Sequence, residues 1–174
     1  MKQVYVIIDG YNMMGQSNHL SALAQEDLSE AREQLIVEIS NYNALIKGEV
    51  ICVFDAYDQE GNMSESYYHG VKIIYTKENE TADSYIERWV YNHYNKHTTK
   101  IMVVTSDMSE QHAIFGTGAY RISSREMWRN ITENEKTVKK TMASIDNTKP
   151  RTRIPLSEDV LTEFEKLRRG NPDS

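Results

Sequence analysis

Val4-Tyr5-Val6-Ile7-Ile8 is an unbroken apolar run, mostly β-branched, that stops at Asp9-Gly10-Tyr11-Asn12. A strand without polar alternation is buried on both faces, as in the middle of a parallel sheet. Asp9 then stands at the strand's carboxyl end, the edge where open α/β sheets bind their ligands. The fold must therefore supply a sheet with cover on both sides. The chemistry is to be sought in whatever else the chain brings to that edge.

The rest of the sequence supplies such a sheet. Gln16 to Glu26 reads as a mostly polar connection, followed by a helix over 28–46 with Leu28, Ala31, Leu35, Ile39 and Tyr42 or Ile46 at helical spacing. Glu49 to Asp55 is a second buried-type strand, and Asp58 to Ser66, with Gly61, reads as a loop. Val71 to Thr76 is a third strand, leading through Lys77-Glu78-Asn79-Glu80 to a helix over 81–94. Ile101 to Thr105 is a fourth strand, followed by Ser106-Asp107 and a short helix over 109–115. After Gly116-Thr117-Gly118, residues 119–123 form a short fifth strand, and a helix runs from Ser124 into the 130s or 140s. Strands alternating with helices predict an α/β domain with a parallel sheet and right-handed crossovers.

Length and composition fit this reading. With 174 residues the chain is long enough for one domain with a real core. No stretch approaches the roughly 20 apolar residues of a membrane helix, and the first strand begins too early for a signal peptide. Cys52 is the only cysteine and lies in an apolar run, which predicts a buried hydrophobe rather than a disulfide. A cytoplasmic location is expected. The net charge of −6 argues at first against a nucleic-acid partner. Its distribution is uneven, however. Residues 1–118 hold 8 Lys and Arg against 17 Asp and Glu, a balance of −9, whereas 119–174 hold 12 against 9, a balance of +3. Such a chain can hold cations at one end and phosphates at the other, although a solvated surface of uneven charge explains the same numbers.

The C-terminal segment differs in kind. Lys149-Pro150-Arg151-Thr152-Arg153-Ile154-Pro155 cannot be helical throughout, because each proline biases its predecessor away from the helical region. It reads as an extended basic arm. Ser157 caps a last helix with Val160, Leu161, Phe164 and Leu167 on one face. The expected organisation is a body over 1–148 with the 149–174 arm and helix packed on it.

Asp9, Asp55 and Asp107 each come at or just after the carboxyl end of a predicted parallel strand, and Asp83 opens the helix after the third, with Glu80 just before it. Each acid alone is explained as a turn or cap residue. Together they converge on one edge, where like charges raise one another's pKa. A divalent cation relieves this, and carboxylates with water suit Mg²⁺ or Mn²⁺.

Other acid-based chemistries fit less well. An aspartate-nucleophile phosphatase needs a second aspartate where Tyr11 stands, and a receiver domain needs one where the third strand ends in Tyr75-Thr76. Gly116-Thr117-Gly118 is too short for a phosphate-binding glycine loop. His93 and His97 have zinc-like spacing but sit at a helix end, where interaction with the dipole suffices. No nucleophile elbow is present.

The motifs in order are Asp9-Gly10-Tyr11-Asn12, Phe54-Asp55-Ala56, Tyr75-Thr76 with Glu80-Thr81-Ala82-Asp83, Thr105-Ser106-Asp107 with Glu110-Gln111, and Gly116 to Ser123. Together they resemble the YacP-like branch of the NYN-domain ribonucleases, relatives of the PIN-domain nucleases. The resemblance covers about residues 4 to 128. It implies a three-layer fold with a sheet of about five parallel strands, order 3-2-1-4-5, and helices on both faces. It also implies metal-dependent cleavage of RNA, in the nearest bacterial members mRNA on the ribosome.

Under this resemblance Asp9, Asp83 and Asp107 would hold Mg²⁺ or Mn²⁺, and Asn12 would position a water or the phosphate. Glu80 and Asp55 would act from a second tier. Arg121, Arg125 and the arm residues Lys149, Arg151 and Arg153 would grip the RNA backbone. Tyr11 and Tyr57 would stack unpaired bases, or simply pack half-buried. A monomer is expected. The alternative is a non-catalytic RNA- or ribosome-binding factor with a vestigial metal site.

Overall fold

The apolar runs do pair as parallel strands. The computed structural model describes residues 1–43, 48–56, 61–106 and 118–134. Its elements are β1 (Gln3–Asp9), α1 (Gly10–Gly15), α2 (Asn18–Glu26), α3 (Leu28–Asn43), β2 (Glu49–Phe54), β3 (Ser64–Tyr68), β4 (Val71–Tyr75), α4 (Ala82–His93), β5 (Thr99–Val104) and β6 (Tyr120–Ile122). A further helix, α5, covers 124–134.

The sheet has the order β3-β4-β2-β1-β5-β6. β1 lies between β2 and β5, parallel to both, with Ile7 opposite Ile51 on one side and Val103 on the other. The chain moves outward from β1 through β2 to β4, then returns to place β5 on the other side of β1. The switch point therefore falls between β1 and β5, where the carboxyl edge opens a crevice.

Alternate residues of each strand serve opposite faces. Val6, Ile8, Cys52, Phe54, Met102 and Val104 pack with Leu35 and Ile39 of α3 and Met127 and Ile131 of α5. Ile7, Ile51, Val53, Ile101 and Val103 pack with Ile86, Trp89 and Val90 of α4 on the other face. The result is a three-layer α/β fold whose five parallel strands follow the expected order. Cys52 is fully buried, and burial pushes its thiol far above the ordinary range, so it behaves as a small hydrophobe.

Two expectations are corrected. The connection after β1 is helical, not irregular. Asp9 accepts a hydrogen bond from the Asn12 amide at 3.2 Å and caps α1, and Ser17 caps α2 through the Leu20 amide at 3.2 Å. Leu20, Met13 and Met14 anchor these short helices in the core. The predicted loop over 58–66 gives way at Ser64 to β3, which runs antiparallel on the outside of β4 through a turn at His69-Gly70. Both turn residues have positive φ, 47° and 86°, as a tight hairpin turn requires. Every β3 residue is exposed, so its sequence carries no apolar alternation. The predicted helix over 109–115, the basic arm and the last helix lie outside the described residues. No described helix is long and apolar enough to cross a membrane.

Candidate active site

Asp9 ends β1 and is 8% exposed. Gly10 must follow it. A Cβ at that position would lie 2.4 Å from a ring carbon of Phe54, so only glycine lets the chain turn over the aromatic ring.

Asp55 follows β2 and accepts a hydrogen bond from the Ala82 amide, so α4 starts on its carboxylate. Thr76, 1% exposed, fixes this junction. Its hydroxyl accepts from the Ala56 amide at 3.1 Å and donates to the Glu80 carbonyl at 2.7 Å. Asp83 lies one residue into α4, close enough for its charge to act on Asp9. The acids of β1, β2 and α4 are thus brought to one edge.

Burial, then the charges of Asp83 and Asp55, raise the Asp9 carboxyl to about 7, against the opposing hydrogen bond from the Asn12 amide. Carboxylates that close repel unless a proton lies between them. A divalent cation coordinated by the two oxygens would take that proton's place. Among the described residues, no group of three or more His, Cys, Asp or Glu side chains is set to hold a metal. Asp9 and Asp83 offer two hard oxygen ligands, and the third acid expected at this edge, Asp107, lies outside the described residues. The donor chemistry fits Mg²⁺ or Mn²⁺ better than a soft metal.

Glu80 is engaged elsewhere. Its carboxylate takes both terminal nitrogens of Arg88, which lies over the Tyr85 ring. Asn12 also has other duties. Its side-chain oxygen accepts from the Ser106 amide at 2.9 Å and from the Ser124 hydroxyl at 2.6 Å, while Ser106 Oγ accepts from the Ser124 amide at 3.2 Å. This knot ties α1 to the residues that follow β5 and to the start of α5. Arg121 joins it, donating from Nε to the Thr105 carbonyl at 3.0 Å.

Arg125 is exposed near the start of α5. Tyr11 packs its ring edge-on against Phe54 with centroids 5.0 Å apart, and its hydroxyl accepts from Arg32 at 3.1 Å. His93 bonds the Trp89 carbonyl and stacks on the Trp89 ring, as befits a helix end. Tyr57, Lys149, Arg151 and Arg153 lie outside the described residues. Sequence reasoning quoted Thr76 within a motif but gave no role to it or to Ser124. Each acts through bonds to residues far away in the chain, and no local pattern announces them.

The description of YacP-like NYN domains matches residues 6–169 of this chain. The chain belongs to the YacP-like NYN family. It is 42% identical over 168 residues to the uncharacterized protein YacP of Bacillus subtilis (strain 168), with 97% of this chain and 98% of that protein covered. It is also similar to two crystal structures of Rae1 (YacP) from Bacillus subtilis. A tryptophan-to-leucine variant of that protein matches with a TM-score of 0.72 and 42% identity over 95% of this chain and 96% of that one. The other structure gives a TM-score of 0.71 and 41% identity over 100% and 98%. NYN domains are nuclease-like, so the acid edge of a YacP-like NYN chain is a candidate nuclease site, and membership points to RNA as the polymer handled.

Proposed function

We propose that this protein is a metal-dependent endoribonuclease that hydrolyses RNA phosphodiester bonds, acting on mRNA at the translating ribosome. The observation that carries the reading is the buried Asp9 carboxyl held against Asp83 at the switch point of the sheet. Two acids kept in such proximity are costly unless their charge is used.

Asp9, Asp83 and Asp107 would hold Mg²⁺ or Mn²⁺. When bound, the cation supplies an acidified water and neutralises charge at the phosphate. Asp55 sets the position of Asp83 by capping α4. Asn12 holds the residues that lead from β5 toward Asp107, and Glu80 is a less direct participant because Arg88 neutralises it. Arg121 and Arg125 would grip the RNA backbone, with Lys149, Arg151 and Arg153 extending the grip.

The acidic front of the chain favours presentation by the ribosome. A body with a balance of −9 over residues 1–118 attracts naked RNA weakly. A vestigial site is the lesser reading, because a relic has no reason to retain carboxylates that repel one another. The test is incubation of purified protein with naked RNA and with translating ribosomes, each with Mn²⁺ and with chelator. Metal-dependent cuts within the message are expected, strongest on ribosomes. RNA left intact in all arms would overturn the reading.

A further inference from the structure

A groove runs between α3 and the β3–β4 hairpin, on the sheet face that also carries Tyr11. Its volume is about 440 Å³, and its lining includes Arg32, Glu33, Val37, Tyr68, Ile73 and Tyr75. The strand register gives its direction. Tyr75 pairs with Ser64 at the carboxyl end of β4, on the same edge as Asp9, whereas Tyr68 pairs with Val71 at the far end. The groove thus starts beside the acids and descends for roughly 13 Å, the length of a five-residue strand. A second hollow of about 350 Å³ continues it past Val37 and Tyr68 to His69.

The upper end is joined to the acid site by contacts. The Arg32 guanidinium lies 5.7 Å from the centroid of Tyr75 and donates to the Tyr11 hydroxyl at 3.1 Å. Tyr75 stacks on Phe54 at 5.5 Å, and Phe54 in turn lies against Gly10. A planar cation is therefore held in place and linked to Asp9 through Tyr75, Phe54 and Gly10. At the lower end Tyr68 is 41% exposed and Val37 39%.

We propose that this groove is a subsite for unpaired RNA bases flanking the cleaved bond, with Arg32 over Tyr75 as the platform nearest the acids and Tyr68 as the platform at the far end. The proposal rests on the nuclease reading. Splayed bases are held by stacking on aromatic rings and on arginine planes, both of which line this surface. Glu30 and Glu33 on the α3 wall repel phosphate, so bases enter while the backbone stays outside. The volume suits a small planar group, within the roughly 300–1,000 Å³ of small-ligand sites, and excludes a duplex or a peptide helix.

Photo-crosslinking tests it. The full-length Asp83→Asn protein is irradiated with RNA carrying 4-thiouridine, digested, and the adducts are mapped by mass spectrometry. Adducts are expected within 29–37 and 64–75. In parallel, Tyr68→Ala and Arg32→Lys in the otherwise native chain are expected to raise KM for RNA cleavage about tenfold, equivalent to about 1.4 kcal/mol and one stacking contact, with kcat little changed. Tyr68→Ala removes an exposed edge side chain and should leave the melting temperature unchanged, so a lost KM effect cannot be blamed on folding. If the wild-type protein cleaves RNA, but adducts fall elsewhere and KM does not move in either variant, the base subsite is overturned. If the wild-type protein cleaves no RNA, on or off the ribosome, the nuclease reading falls and the subsite with it.

Discussion

Asp83 faces the buried Asp9 carboxyl from the start of α4, and burial, with the charge of Asp83, raises that carboxyl. Two carboxylates this close repel, and a proton or a cation between them relieves the repulsion. The pair is therefore sensitive to pH.

The Asp9 carboxyl is raised from an ordinary 3.8 to about 7 in the folded protein, chiefly by burial and then by its acidic neighbours. Protonation therefore favours the folded state. The stability this confers is complete below the unfolded value and is lost as pH rises through about 7, by on the order of 4 kcal/mol at most. Thermal melts in chelator should show a melting temperature that falls from pH 5 to pH 8. Asp9→Asn, which keeps the cap on α1 without the charge, should flatten that slope. A melting temperature of the wild-type protein that climbs over the same window would contradict the assignment.

Asp55 should prove structural first and functional second. Asp55→Ala leaves the Ala82 amide without its acceptor, at a cost of about 1 kcal/mol or more, and lets the turn carrying Asp83 drift. Asp55→Asn keeps an acceptor oxygen and should recover most of the stability. Urea titrations of both variants decide this. Equal losses would show that charge, not capping, is what the position supplies.

Gly10→Ala should be costly despite its small size. The added methyl meets the Phe54 ring, and overpacking of this kind costs roughly 1–3 kcal/mol. Adding Phe54→Leu should restore part of the loss, because the clashing atoms go with the ring. A double variant less stable than the sum of the two single changes would mean that the strain lies elsewhere.

Asn12→Ala should strand the Ser106 amide and the Ser124 hydroxyl, both otherwise satisfied by one oxygen. The expected cost is about 2 kcal/mol, with Ser124→Ala costing less because it removes the donor as well. Equilibrium unfolding gives both values. Near-zero cost for Asn12→Ala would show that water replaces the knot.

The parallel strands were legible because burial on both faces leaves β-branched runs that end abruptly, as at Ile8-Asp9 and Phe54-Asp55. The convergence of Asp9, Asp55 and Asp83 was legible for the same reason, since strand ends in a parallel sheet share an edge. β3 was not, because all five of its side chains face solvent and its partner β4 supplies the order. α2 was not, because its apolar stripe is reduced to Leu20, Leu23 and Ala24. The capture of Glu80 by Arg88 and the bonds of Asn12, which reach 94 and 112 residues along the chain, depend on tertiary placement alone.

The nuclease reading depends most on Asp9 and Asp83. The direct measurement is cleavage of a reporter mRNA, on translating ribosomes and free, by the wild-type protein and by Asp9→Asn and Asp83→Asn, with Mn²⁺ present. Each substitution should lower the rate by at least about a hundredfold, the scale of losing a group that stabilises the transition state, while circular dichroism stays that of the native fold. Wild-type-like cleavage by either variant would contradict the account.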